Sequence, residues 1–169
     1  MTVHPNPRNL VRQMLPKRQP RTKRPAKALV DSVIAEIRRA ETTVAQGARV
    51  LGCDPDSLGR RVWKETKRDV FARDLGCALC GAVNRLDAQH RRARKSGGTS
   101  DPAISFGMDN LITLCRECHD HAEQNPDWAR GLGLRLDNGE VPAETKVFRR
   151  GRWVLLSDDG RVEPIGGEQ

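Results

Sequence analysis

Cys77-Ala78-Leu79-Cys80-Gly81 opens, and Leu111-Ile112-Thr113-Leu114-Cys115-Arg116-Glu117-Cys118-His119 closes, the stretch whose reading decides how this chain folds. Each end carries a Cys-x-x-Cys pair, and two such pairs within one short segment have the spacing of a four-cysteine zinc site. Four thiolates close the coordination sphere and leave no position for water. Cys77, Cys80, Cys115 and Cys118 are therefore expected to hold a structural Zn2+ and not a catalytic one. That clamp would fix the histidines between and just after the pairs, His90 and His119. A thioredoxin-like redox role does not fit, because no βαβ pattern surrounds either pair and there are two of them.

Working outward, the 169 residues have room for one ordinary domain or two small ones with tails. Hydrophobic residues make up 37% and aromatics only 4%, so the apolar core is thin and a metal staple compensates for it. No apolar run is long enough to span a membrane, and the N-terminal stretch is too charged and proline-rich for a secretory signal. Five cysteines without such a signal point to a reducing compartment such as the cytoplasm. The net charge of +8 lies almost wholly in residues 1–27, where Arg8, Arg12, Lys17, Arg18, Arg21, Lys23, Arg24 and Lys27 meet no acid. With five prolines among them, residues 1–27 are expected to form a disordered basic arm that attracts a polyanion; the plain alternative is a solvated tail.

Residues 28–66 take up helical periodicity. Leu29, Val33, Ile34 and Ile37 recur at spacings of three and four. The segment Thr42 to Trp63 looks like a helix-turn-helix: Ala48 allows close crossing, Gly52 makes the turn and Cys53 plugs the core. Asp54 or Asp56 would cap the next helix, with Pro55 in its first turn and Leu58 and Val62 inward. Its outer face would offer Arg60, Arg61 and Lys64 to a major groove. A hairpin used only for packing produces a similar string. Further on, residues 136–169 alternate like strands, with Lys146-Val147-Phe148 and Trp153-Val154-Leu155-Leu156 flanking a turn at Arg149–Arg152. A short β-hairpin is expected there.

The middle of the stretch reads Leu86-Asp87-Ala88-Gln89-His90-Arg91-Arg92-Ala93-Arg94-Lys95-Ser96-Gly97-Gly98, followed after a loop by Asp109-Asn110. With Leu111 to His119 it closely resembles the HNH endonuclease family over about residues 73–135, the three letters falling on His90, Asn110 and His119. The Gln-His-Arg-x-Ala-Arg opening with Gly97-Gly98 is similar to versions common in actinobacterial phages and prophages. The resemblance implies an α+β fold, a ββα-metal core over residues 67–135, preceded by the helix-turn-helix-like unit and followed by the hairpin. It also implies metal-dependent hydrolysis of phosphodiester bonds in DNA, the duplex being the expected form. His90 would be the general base, Asn110 would hold the loop that positions it, and His119 would be a metal ligand. Phage packaging proteins are the further partners that the phage-borne versions suggest, with homing, defence and restriction as other roles.

Elementary chemistry agrees with this. An imidazole of ordinary pKa, about 6.5, is neutral at cell pH and can take a proton from water. Residues 119 and 123 are one helical turn apart, so Glu123 can share a divalent ion with His119, and a carboxylate there suits Mg2+ or Mn2+. His121 points elsewhere and is expected at the surface. Many relatives carry His or Asp immediately before the base. Here Gln89 offers only an amide oxygen, a weak ligand that acts directly, through water or not at all. Arg91, Arg92, Arg94 and Lys95 beside the base suit phosphate clamping, or else form a basic surface loop. Two other classes stay open: a zinc-stabilised, non-catalytic DNA-binding protein with a degenerate HNH core, which Gln89 favours, and a zinc-ribbon module for a protein partner, which leaves the His-Asn-His pattern without a purpose.

Overall fold

A computed structural model describes residues 24–94 and 99–166. The N-terminal arm up to residue 23, and Lys95 with Gly97-Gly98, lie outside the described residues. Among the described residues no helix is long and apolar enough to cross a membrane.

Three helices come first. α1 (Lys27–Arg38) buries Val30, Val33, Ile34 and Ile37, while Leu29, one step off that stripe, is exposed. α2 (Val44–Leu51) begins with a capping box: Gln46 N–H donates to Thr43 Oγ1 and the Thr43 N–H donates to Gln46 Oε1. The close helix crossing is made at Gly47 as well as Ala48, since a Cβ on Gly47 would meet Val33 Cγ1 at 2.7 Å. Gly52 ends α2 at φ +60°, and this left-handed step turns Cys53 outward, so the thiol is exposed and does not plug the core.

Asp54 caps α3 (Pro55–Asp74) through its carboxylate and the Ser57 N–H at 2.8 Å. The helix does not stop at residue 66. Leu58, Val62, Thr66, Val70 and Asp74 form one buried stripe at four-residue spacing, which carries α3 across the expected boundary for 20 residues, about 30 Å. Its first half packs on α1 and α2, and its second half packs Val70 against Met108 and Leu111. The helical unit and the metal segment therefore share a rigid element. Leu75 at φ +52° and Gly76 at φ +123° then break the helix.

β1 (Leu86–His90) pairs antiparallel with β2 (Leu111–Cys115), so that Leu86 faces Cys115 and His90 faces Leu111. All of β2 is buried because both of its faces are covered. Ile112 and Leu114 join the cluster around Cys77 and Ala78, while Leu111 and Thr113 face α3. Asp74 fixes this packing: its carboxylate accepts from the Thr113 N–H at 2.8 Å and from Arg73, whose guanidinium also reaches the carbonyls of Met108 and Leu111. A short α4 (Pro102–Phe106) lies between the strands in sequence. Cys115 leads directly into α5 (Arg116–Gln124), and α6 (Pro126–Gly131) follows.

The tail is a three-stranded antiparallel sheet and not a single hairpin: β3 (Val147–Arg149), β4 (Arg152–Leu156) and β5 (Val162–Pro164), in that order. Arg150 and Gly151, both at positive φ, make the two-residue turn expected between the first two. The Asp158-Asp159-Gly160 turn returns a third strand. Val147, Val154 and Leu156 cover Ile112, Leu114 and Leu134, adding apolar burial that the metal lobe lacks by itself. Arg149 and Arg150 donate to the Asp74 carbonyl, and Arg150 also to that of Leu75, so these cations cap the end of α3.

Candidate active site and metal centre

The four cysteines converge as the spacing requires. Their sulfurs lie within 4.8 Å of one another, and Cys80 Sγ is 3.6 Å from Cys115 Sγ. Tetrahedral zinc with Zn–S of about 2.3 Å sets sulfurs about 3.8 Å apart, so the site fits that ion. The first knuckle is a tight turn in which Cys77 N–H donates to the Ala82 carbonyl and Gly81 N–H to that of Cys77. Burial alone would raise the Cys77 thiol, but backbone donors from Cys80, Cys115 and Leu79 outweigh it and bring it down to about 7. Burial and neighbouring sulfurs push Cys118 well up. Four thiolates this close need a cation among them.

His90 ends β1 with its ring gripped on two sides. Its Nε2 lies 3.2 Å from the Ser105 carbonyl of α4, and its face stacks on the Trp63 indole of α3 with centroids 5.3 Å apart and planes 12° from parallel. Burial lowers the pKa to about 4, with the Arg94 charge adding to the shift, although the Ser105 carbonyl favours the cation. The imidazole is neutral near pH 7.

Gln89, His90, His119 and Glu123 line one cleft of about 300 Å3, together with Ala88, Ala93, Arg94 and Arg135, with the buried Arg91 in its wall. β1 delivers the first two and one face of α5 the second two. His119 Nε2 lies 4.0 Å from Glu123 Oε1, and His119 Nδ1 is buried without a hydrogen-bond partner. An imidazole and an exposed carboxylate one turn apart form a donor pair suited to a small divalent ion. The Gln89 amide nitrogen donates to the His90 carbonyl at 3.3 Å. Among the described residues the four cysteines are the one cluster of three or more His, Cys, Asp or Glu side chains able to ligate a metal, so a second ion would rest on a sparser set.

Asn110 is fully buried and holds the chain just after His90. Its Oδ1 accepts from the Arg92 N–H at 2.7 Å, and its Nδ2 donates to the carbonyls of Arg92 and Ile104.

Of the cations next to the base, Arg94 is exposed and lines the cleft, and Arg92 is half-buried. Arg91 differs from expectation: it is wholly buried and cannot clamp phosphate. It directly follows β1 and points into the interior, where it donates to the carbonyls of Gly133, Asp109, Pro142, Thr145 and Lys146. Burial lowers its pKa to about 10, so it stays cationic, an organising centre for the loop leading to β3. On α3, Arg60 is exposed, whereas Arg61 is tied to Glu65 and Asp31. His121 is exposed and meets the edge of Trp128.

Residues 77–125 match the family model described as HNH endonuclease. The matched segment runs from Cys77 through His90, Asn110, His119 and Glu123, and covers under a third of the chain. No curated protein and no solved structure matches the chain. Three features of this site escaped the sequence. Ser105 acts through a backbone carbonyl, which has no side-chain signature. Arg135 lies beyond the motif and is brought in by the bridge between Arg92 and Leu136. Trp63 lies outside the match; an aromatic on a helix beside a thin core was the signal available.

Proposed function

We propose that this chain is a metal-dependent endonuclease that hydrolyses phosphodiester bonds in DNA, with His90 as the general base. One observation carries the reading: Gln89 and His90 of β1 share a single cleft with His119 and Glu123 of α5. In this reading β1, β2 and α5 are a ββα-metal core stapled by Zn2+ on Cys77, Cys80, Cys115 and Cys118, and α2 and α3 are a helix-turn-helix-like unit.

The His90 Nε2 proton goes to the Ser105 carbonyl, which leaves the lone pair on Nδ1. Nδ1 takes a proton from the attacking water as the new P–O bond forms and the bond to the 3′ oxygen breaks. His119 and Glu123, with Gln89 directly or through water, would hold Mg2+ or Mn2+, and that ion would supply charge neutralisation at the phosphate and at the departing oxygen. Arg94 and Arg135 at the rim attract the phosphate, and Asn110 keeps the chain after His90 in one conformation. Arg60 and Lys64, exposed on α3, extend the cationic face toward the flanking duplex.

The Gln89 amide, turned to the His90 carbonyl, favours a second reading in which the chain binds DNA without cutting it. Supercoiled plasmid incubated with the full chain separates the two. Nicking or linearisation with Mg2+, Mn2+, Ni2+ or Co2+, abolished by chelator, supports the nuclease. Retardation without cleavage under all four ions supports binding alone.

A further inference from the structure

We propose that Trp63 is the positioning residue for the His90 imidazole, which makes the helical unit a working part of the catalytic centre and not an appended DNA-binding module. The inference rests on the nuclease reading of His90.

Nothing intrinsic to histidine sets the plane of its ring, because rotation about the bond to an sp2 ring is broad. In this chain the plane is set from outside. The Trp63 indole lies nearly parallel to the imidazole, at 12° and 5.3 Å, within the range of an offset stack. The Ser105 carbonyl holds one edge of the same ring at 3.2 Å. Both contacts lead back to the helical unit. Trp63 belongs to α3, and Phe106, next to Ser105, packs on the core formed by α1, α2 and α3. The strand pair alone fixes only the His90 backbone, through its pairing with Leu111.

Trp63 also organises the neighbouring cation. The Arg94 guanidinium carbon lies 5.7 Å from the indole centroid, a cation–π distance, and Arg94 lines the cleft beside His90. One half-buried side chain thus aligns the base and a cation facing the phosphate. Two other roles make different predictions. As plain packing against Val70, Met108 and Leu111, Trp63 could be replaced by leucine as well as by phenylalanine. As a DNA contact between Arg60 and Lys64, it would act on KM.

The test uses the full chain and a duplex oligonucleotide, with steady-state cleavage by wild type, Trp63→Leu and Trp63→Phe at saturating metal. Positioning predicts that Trp63→Leu lowers kcat about 10- to 100-fold with KM within about twofold, and that Trp63→Phe stays within about threefold of wild type. Equal behaviour of the two variants, or a loss confined to KM, overturns the proposal. A second readout needs no cleavage. The ring-proton NMR signals of His90, identified by their loss in His90→Ala, should be shifted upfield by the indole in wild type, partly in Trp63→Phe, and not in Trp63→Leu. Unshifted signals in wild type overturn the proposal directly. Failure of the nuclease reading looks different: the wild-type chain cuts nothing while the upfield shift persists.

Discussion

Asn110 grips both polar groups of Arg92, accepting from its N–H at 2.7 Å and donating to its carbonyl at 3.2 Å. A side chain here imitates a β-strand neighbour, and it continues the pairing of β1 two residues past His90. The Ile104 carbonyl takes the other amide hydrogen at 2.8 Å, which ties in α4.

Asn110→Ala leaves these buried backbone groups without partners, at about 1–3 kcal/mol each for those that water cannot reach. The expected result is a stability lower by roughly 2–4 kcal/mol in total, read as a lower urea midpoint with unchanged slope. Cleavage should fall even at temperatures where the variant is fully folded. Unchanged cleavage by folded Asn110→Ala would remove its role in holding the loop.

Arg91 and Arg94 are three residues apart and should behave as opposites. Arg91→Ala strips a buried cation from five carbonyls and should cost roughly 3–5 kcal/mol, read by thermal unfolding. Arg94→Ala should leave stability nearly unchanged and reduce the slope of log affinity for DNA against log salt by about one. A reversed pattern would contradict the burial assigned to Arg91.

The four-cysteine cluster is open to a direct test. Four sulfurs within 4.8 Å should take up one equivalent of Zn2+, measurable by elemental analysis of the purified protein. Cys115→Ser should lose most of it and unfold the lobe containing Ile112, Leu114 and Val154, because metal binding and folding are linked. Full zinc retention by that variant would refute the four-thiolate assignment.

His90 also links stability to pH. Its folded pKa, about 4, lies below the ordinary value near 6.5, so the unfolded chain takes up a proton here that the folded chain refuses. This contribution to stability is fully present above about pH 6.5 and is lost as pH falls from there toward 4. Urea unfolding at pH 7.5 and pH 5 should show a larger drop for wild type than for His90→Gln. Equal drops would mean that the ring is not buried against Trp63 and Ser105.

The four-cysteine cluster was legible because its residues are rare and their spacing is fixed: two Cys-x-x-Cys pairs name their own positions. Asp54, Pro55 and Gly52 likewise marked the helix turn through local chemistry. What stayed hidden depends on the partner across the fold. Arg91 finds its five carbonyls on segments distant in sequence, yet the sequence shows only a run of cations. The extension of α3 to Asp74 depends on Val70 and Asp74 finding β2, and so the expected boundary at residue 66 cut through a continuous helix. The stack of Trp63 on His90 joins residues 27 positions apart and has no local signature.

The most direct measurement compares wild type and His90→Ala on supercoiled plasmid with Mg2+ or Mn2+, both proteins carrying full zinc and binding DNA equally. A general base at His90 predicts metal-dependent nicking by wild type and a loss of at least about a hundredfold in the variant. Equal nicking by both proteins would contradict it.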